Sequence, residues 1–218
     1  MPTHGPAVPD VSNIGIDPFH TAGPSSVIKR KTFEPPPGQW RKEVERVLIT
    51  EEQIARRVRQ LTRRLETDFA GRDLVIVSLL NGTVLFLADL IRHLSLPLRL
   101  DFIGVSSYGA NTVPGQLVFT KELRIDVRGR DVLLVDDILD TGKTLKRVLT
   151  KLRALKPRRV RVCVLLEKRA RRVAKIRVDY VGFRIPDLFV VGYGLDFAER
   201  YRNLSFVGVL RPQYRQGS

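Results

Sequence analysis

A chain of 218 residues that is 43% hydrophobic can bury one sizeable core, and its lone cysteine, Cys163, excludes an intrachain disulfide or a cysteine-built metal cluster. No apolar run approaches the ~20 residues that span a bilayer, and MPTHGPAVPD lacks the positive region and apolar core of a signal peptide, so a cytoplasmic protein is expected. The formal charge is +15 and is uneven, because residues 143–178 hold fifteen Lys and Arg against a single acid, Glu167; a solvated face is the default reading of such a cluster.

Eight of the thirteen prolines fall in residues 1–40, among them Pro35, Pro36 and Pro37, and no helical or strand period is visible there. Residues 1–40 are therefore expected to form a disordered or loosely draped extension, with the folded domain over 41–218. Thr50, with Glu52 and Gln53 in the following turn, reads as a helix cap. Ile54, Val58, Leu61 and Leu65 then mark one face of a helix over 50–68. Leu74–Leu80 is a continuous apolar run and hence a buried strand. It leads through Asn81-Gly82-Thr83 into helical character over Val84–Leu94. Leu98, Leu100 and Phe102 alternate as in a strand, and residues 107–120 combine Gly, Asn, Pro and Ser as in a long mobile loop. Val132–Asp136 reads as a strand ending at the aspartates. Leu145, Val148, Leu149, Leu152 and Leu155 place one stripe on a helix that stops before Pro157. Val160–Leu166 and Leu188–Val191 supply further strands. The alternation predicts an α/β fold with a mainly parallel sheet.

The segment VLLVDDILDTGKTL, residues 132–145, joins a strand, three aspartates and a Thr141-Gly142-Lys143-Thr144 turn at a helix start. Free amides at a helix N-terminus attract phosphate, whereas carboxylates repel it. A Walker A loop is rejected, because the glycine it needs five positions before Gly142 is replaced by Asp137. One ligand with a phosphate at one end and hydroxyls at the other satisfies both halves, and a ribose 5-phosphate is such a ligand. Mg²⁺ held through water would offset the charge.

VLLVDDILDTGKTL resembles the 5-phosphoribosyl-1-pyrophosphate (PRPP) binding motif of type I phosphoribosyltransferases. LLEKR (165–169), VDYVGFRIPDLFVVGYGLDFAERYRNL (178–204) and SSYG (106–109) are similar to the hypoxanthine-guanine phosphoribosyltransferase family. The resemblance covers roughly residues 45–211. It implies a mainly parallel twisted sheet flanked by helices, a small hood and a mobile lid. The implied reaction joins a 6-oxopurine to PRPP and releases pyrophosphate and IMP or GMP, with Mg²⁺ as cofactor.

Residue by residue, the resemblance implies that Asp136 and Asp137 hold the ribose hydroxyls and that Thr141, Gly142, Lys143 and Thr144 grip the 5′-phosphate. Asp140 faces purine N7 as general base or acid, and Lys168 donates to O6. Phe189 stacks on the purine and Val190 reads its edge through the backbone. Asn81, Gly82 and Arg202 meet the pyrophosphate. Asp196 holds a second Mg²⁺ through pyrophosphate, so Asp136, Asp137 and Asp196 form the metal side. Ser107 and Tyr108 begin the lid. Two departures stand out: Asn81 and Leu188 occupy positions where the family commonly carries lysine. A homodimer or homotetramer is implied, with no membrane partner. Two alternatives remain open at this point. One is a nucleic-acid-binding regulator of the same fold, which the basic cluster favours and the intact set of Lys168, Phe189 and Asp196 opposes. The other is an enzyme for another base, such as xanthine.

Overall fold

A computed structural model describes residues 34–106 and 118–215. Of the extension expected over residues 1–40, residues 1–33 lie outside the described residues, as do the lid residues Ser107 and Tyr108. Residues 34–40 instead pack on the domain, with the Glu34 carbonyl accepting from Val47 N at 3.1 Å and a 3-10 turn over Gly38–Trp40. In chain order the elements are β1 (Val44–Ile49), α1 (Glu51–Phe69), β2 (Leu74–Leu80), α2 (Val84–Arg92), β3 (Leu98–Ser106) and β4 (Val118–Lys121). They continue with β5 (Asp131–Leu139), α3 (Lys143–Ala154), β6 (Arg159–Lys168), β7 (Tyr180–Ile185), β8 (Val190–Val191) and β9 (Val207–Leu210).

Thr50 caps α1 as its sequence predicts. Its hydroxyl accepts from Gln53 N at 3.3 Å and the Gln53 side chain accepts from Thr50 N at 2.9 Å, which satisfies two otherwise orphaned amides. Ile54, Val58, Leu61 and Leu65 are buried on the predicted stripe. Four strands escaped the sequence pattern. Two of them, β1 and β9, are short and pair with each other across the chain, Val44 against Leu210 and Ile49 against Val207. The third, β7, carries Gly182, where a Cβ would lie 2.4 Å from the Leu165 carbonyl oxygen, so the backbones of β6 and β7 meet too closely for a larger residue. The predicted loop over 107–120 gives way to β4 at Val118, which pairs antiparallel with β3. The strand predicted to stop at Asp136 continues to Leu139, because β6 goes on pairing with it through Ile138–Leu166 and Leu139–Glu167.

The larger sheet runs β4-β3-β2-β5-β6-β7 and is parallel except at its β4 edge. The smaller antiparallel sheet, β1-β9-β8, forms a separate hood. Successive residues of the central strands face opposite cores. Ile76, Leu133 and Val135 pack with α1 and α2 on one side, and Val77, Val132 and Leu134 pack with α3 on the other. Burying each of Leu145, Val148, Leu149 and Leu152 against that second core contributes about 1.5–3 kcal/mol.

From β2 the chain crosses to β3 on one side, and from β5 it crosses to β6 on the other. The carboxyl ends of β2 and β5 are therefore the switch point of the sheet, where a doubly wound fold opens a crevice. Asn81 and Gly82 follow β2, and the three aspartates close β5.

The basic run also acquires a structural role. Arg158 and Arg159 pair with Asp131, which is only 1% exposed, and Arg161 meets Asp179 at 2.6 Å. Arg172 and Arg184 close on the buried Glu167.

Candidate active site

Three segments distant in sequence touch at the switch point. A Cβ added to Gly82 would lie 1.8 Å from Asp137 Oδ2, and one added to Gly194 would lie 2.0 Å from the Gly82 carbonyl oxygen. Gly194 has φ of +96°, a conformation that glycine adopts freely. The turn after β2 and the loop after β8 thus meet backbone to backbone, and the Asp137 carboxylate closes on the same turn. The Leu80–Asn81 peptide in this turn is cis.

Asp136 and Asp137 are held by their own main chain. Asp136 Oδ1 accepts from Asp137 N at 3.1 Å and Asp137 Oδ1 accepts from Ile138 N at 2.7 Å. Burial pushes the Asp136 carboxyl well above the usual range, and the neighbouring Asp137 charge adds to it. Burial also raises Asp137, opposed by its hydrogen bonds to Asp136 and Ile138 N and by the charge of Arg202. Thr83, buried beneath the pair, turns its hydroxyl toward Asp136 without completing a hydrogen bond. Such a pair favours ligands that donate hydroxyl protons or bring positive charge.

Beyond Asp137 the chain turns into α3. Gly142 stands at the N-cap with φ of +80° and no side-chain cap; Lys143 N donates at 3.4 Å to Thr141 Oγ1, and the amides that follow it in the first turn of α3 are left for a ligand. The Thr141 carbonyl accepts from Val173 N and Ala174 N, both at 3.1 Å. A Cβ at Gly142 would meet Ile176 Cδ1 at 3.1 Å. Residues 173–176 therefore lock the turn from behind. Lys143 is exposed and Thr144 half-buried.

Just after β5, Asp140 Oδ2 lies 3.4 Å from Arg171 Nη1 and 4.0 Å from Lys168 Nζ. Its Oδ1 is buried with no hydrogen-bond partner among the described residues. Lys168 ends β6 and is only 6% exposed, with Nζ 3.5 Å from Asp187 Oδ1. Arg171 also reaches Asp187, at 3.7 Å. Phe189 is 37% exposed, so it belongs to the crevice wall and not to the core. Phe197 meets it edge-on, with ring centroids 5.5 Å apart, and the Arg215 guanidinium lies 5.4 Å from the ring centre. Val190 is buried and pairs with Val209.

Asp196 stands apart from the acid pair. Its Oδ1 is 2.9 Å from Arg202 Nη1 and its Oδ2 accepts from Glu199 N at 3.0 Å. Arg202 also donates to the Gly194 carbonyl at 2.9 Å and meets Glu199 at 2.8 Å. Among the described residues no group of three His, Cys, Asp or Glu side chains could hold a metal. Asp136 and Asp137 nevertheless fit Mg²⁺, which takes one or two carboxylates and completes its octahedron with substrate oxygens and water.

Sequence reasoning missed Thr83, Arg171, Asp187 and Gly194. Asp187 lay inside the motif over 178–204 and could have been singled out there, whereas Arg171 is indistinguishable from its basic neighbours.

A phosphoribosyl transferase domain matches residues 48–198. The hypoxanthine-guanine phosphoribosyltransferase of Bacillus subtilis (strain 168) is 44% identical over 171 residues, covering 78% of this chain and 95% of that protein. A bifunctional protein TilS/HprT of Listeria monocytogenes (serotype 4b, strain F2365) is 43% identical over 172 residues, but this chain spans only 26% of its length. The solved structure of a hypoxanthine phosphoribosyltransferase from Staphylococcus aureus superposes with a TM-score of 0.77 at 40% identity, covering 83% of this chain and 98% of that one. With the acids, the glycine-lined turn and the uncapped helix start meeting where the family's substrate crevice opens, the chain belongs to the phosphoribosyltransferase family, on its hypoxanthine-guanine branch.

Proposed function

We propose that this chain transfers the 5-phosphoribosyl group of PRPP to N9 of hypoxanthine or guanine, giving IMP or GMP and pyrophosphate in cytoplasmic purine salvage. The observation that carries the reading is the acid pair at the switch point, set between an uncapped helix start and the cluster of Asp140 and Lys168. The amides of residues 141–144 take the 5′-phosphate. Asp136 and Asp137 accept from the two ribose hydroxyls. The Asn81–Gly82 backbone and Arg202 face the pyrophosphate. As the bond from C1′ to pyrophosphate breaks and the bond to N9 forms, positive charge builds on the purine. Asp140 stands ready to take the N7 proton through its unpartnered Oδ1. Lys168 donates to O6, Phe189 offers a ring for stacking, and Val190 presents backbone at the purine edge.

Mg²⁺, when bound with PRPP, neutralises the leaving pyrophosphate. Asp136 and Asp137 are the residues suited to hold it, and Asp196 would join only by releasing Arg202. Closure by Ser107 and Tyr108 and assembly into a homodimer or homotetramer complete the proposal. The deciding experiment compares hypoxanthine, guanine, xanthine, adenine and uracil as acceptors with PRPP. Turnover confined to 6-oxopurines is expected. Preference for adenine or uracil, or no turnover at all, would overturn the reading.

A further inference from the structure

The basic run over 143–178 divides into two populations. Arg158 and Arg159 serve Asp131, Arg161 and Arg177 flank Asp179, Arg169 and Arg172 serve Glu167, Lys168 and Arg171 share Asp140 and Asp187, and Lys151 pairs with Glu122. Lys143, Lys146, Arg147, Arg153, Lys156 and Lys175 are exposed and form no ion pair among the described residues. All but Lys175 lie on α3 or the turn that ends it.

Lys143, Lys146 and Arg147 recur with Thr150 and Lys151 at three- and four-residue steps, opposite the buried Leu145, Val148, Leu149 and Leu152. No acid occurs on α3. This face lines an open groove of about 730 Å³ whose other walls are Phe119 of β4 and the Val173–Ala174 segment. Val173 is 72% exposed, and Lys151 Nζ lies 4.1 Å from the Phe119 ring centre. The groove therefore interleaves free cations with apolar walls, and apart from Lys143 it owes nothing to the transfer chemistry.

We propose that the α3 groove binds a single-stranded nucleic acid along its phosphate backbone. A helix of twelve residues is about 18 Å long, enough to pass on the order of three phosphates of an extended single strand. A protein partner is disfavoured, since a stable protein interface buries about 800 Å² per partner around an apolar centre, whereas Phe119 and Val173 are the large apolar side chains of this groove, beside the small Ala154 and Ala174 and a row of cations. A flat anionic membrane would not follow a concave wall. Cations along a groove beside apolar surface match a strand whose phosphates lie on one side and bases on the other. The inference stands on the charge pattern and does not require the catalytic reading.

The test uses the whole chain and labelled oligouridylate and oligothymidylate of about twelve nucleotides, with binding followed by fluorescence anisotropy across salt. Three groove cations predict a slope of log affinity against log salt of about −2 for a single strand. Lys146→Glu with Arg147→Glu should weaken binding at least about tenfold and flatten the slope, while turnover stays within about threefold because neither residue contacts substrate. Arg59→Glu with Arg63→Glu makes the same charge change on the exposed face of α1, across the sheet, and should alter affinity by less than about threefold. Preference for RNA or for DNA identifies the source of the strand. Equal losses in both double variants, displacement of the oligonucleotide by saturating PRPP, comparable binding of polyglutamate or anionic vesicles, or no binding at low salt would each overturn the proposal.

Discussion

Around Asp136 and Asp137 positions are set by main chain: amides of the following residues hold both carboxylates, and Gly82 and Gly194 bring two backbones together against the Asp137 carboxylate. Around Asp140 they are set by side chains. Lys168 and Arg171 share Asp140 and Asp187 at 3.4–4.0 Å, loosely enough for partners to exchange. On the proposed assignment, the ribose side is fixed before substrate arrives, whereas the base side is a set of charge contacts that an incoming purine must re-sort. Such a division suits a ligand common to every turnover on one side and a base that enters and leaves as part of a nucleotide on the other.

Breaking the chemistry without touching the fixed side should have the largest effect. Asp140→Asn keeps the shape but cannot accept the N7 proton, and kcat should fall by about 10²–10⁴. PRPP affinity, measured calorimetrically, should stay within about threefold, because residues 141–144 are untouched. Unchanged kcat would remove Asp140 from its role.

Breaking the fixed side should be nearly as severe. In Gly82→Ala the new methyl would lie 1.8 Å from Asp137 Oδ2, so the turn and the acid must separate. A displacement of about 1 Å at reacting groups costs about 10²-fold in kcat/KM. Gly129→Ala is the control for general backbone effects, since Gly129 also has positive φ, +69°, but nothing lies within 4 Å of its added Cβ. It should cost stability and leave kcat/KM for PRPP nearly unchanged. Equal kinetic losses in the two variants would show that the close approach has no catalytic meaning.

The legibility of the sequence follows the same division. The strand, the acids and the helix start of residues 132–145 are contiguous, so period, turn chemistry and spacing could all be read locally. What lies opposite them could not. Gly82 reads as a turn glycine, and only the fold brings it against Asp137 and Gly194. The hood was only partly visible: Leu188–Val191 reads as a strand and contains β8, whereas β9 has four residues, too few for a pattern, and its partner β1 lies far away in the chain. Arg171 was hidden by its basic neighbours, which the fold sends to Glu167 and Asp179 instead. The stacking role of Phe189 came from the resemblance alone, because nothing in its apolar strand signals the exposure that follows from the β8 edge on which the chain enters the hood.

The acid pair sharpens the comparison through pH. Both folded-state values lie above the ordinary 3.8, with burial the main cause. Folding therefore carries a penalty that is full above the raised values and fades as pH falls through them toward the unfolded value. Asp136→Asn removes one buried charge and its like-charged neighbour's repulsion. The variant should be more stable than the parent at pH 8, by about 1–3 kcal/mol, with the difference shrinking steadily on acidification. Thermal melts from pH 8 to pH 4 measure it. A difference independent of pH would mean that ionisation of the pair has no part in it. The stability gain should come with loss of PRPP turnover, since the amide is a poorer acceptor for the ribose hydroxyls.

The smallest expected effect belongs to Arg171. It is half exposed and bridges Asp140 and Asp187 across the place proposed for the purine edge. An ion pair of that exposure contributes about 0.2–1 kcal/mol. A purine that engages Asp140 must displace the guanidinium, so this small contact opposes base binding. Arg171→Ala should lower KM for hypoxanthine and guanine by up to about fivefold and leave kcat and PRPP affinity nearly unchanged. Raising the salt should narrow the gap, because a surface pair is screened while the buried Lys168 is screened much less. A rise in KM would reverse the sign of the argument: Arg171 would then be a donor to the bound base, and the base side would hold its ligand with two cations instead of one.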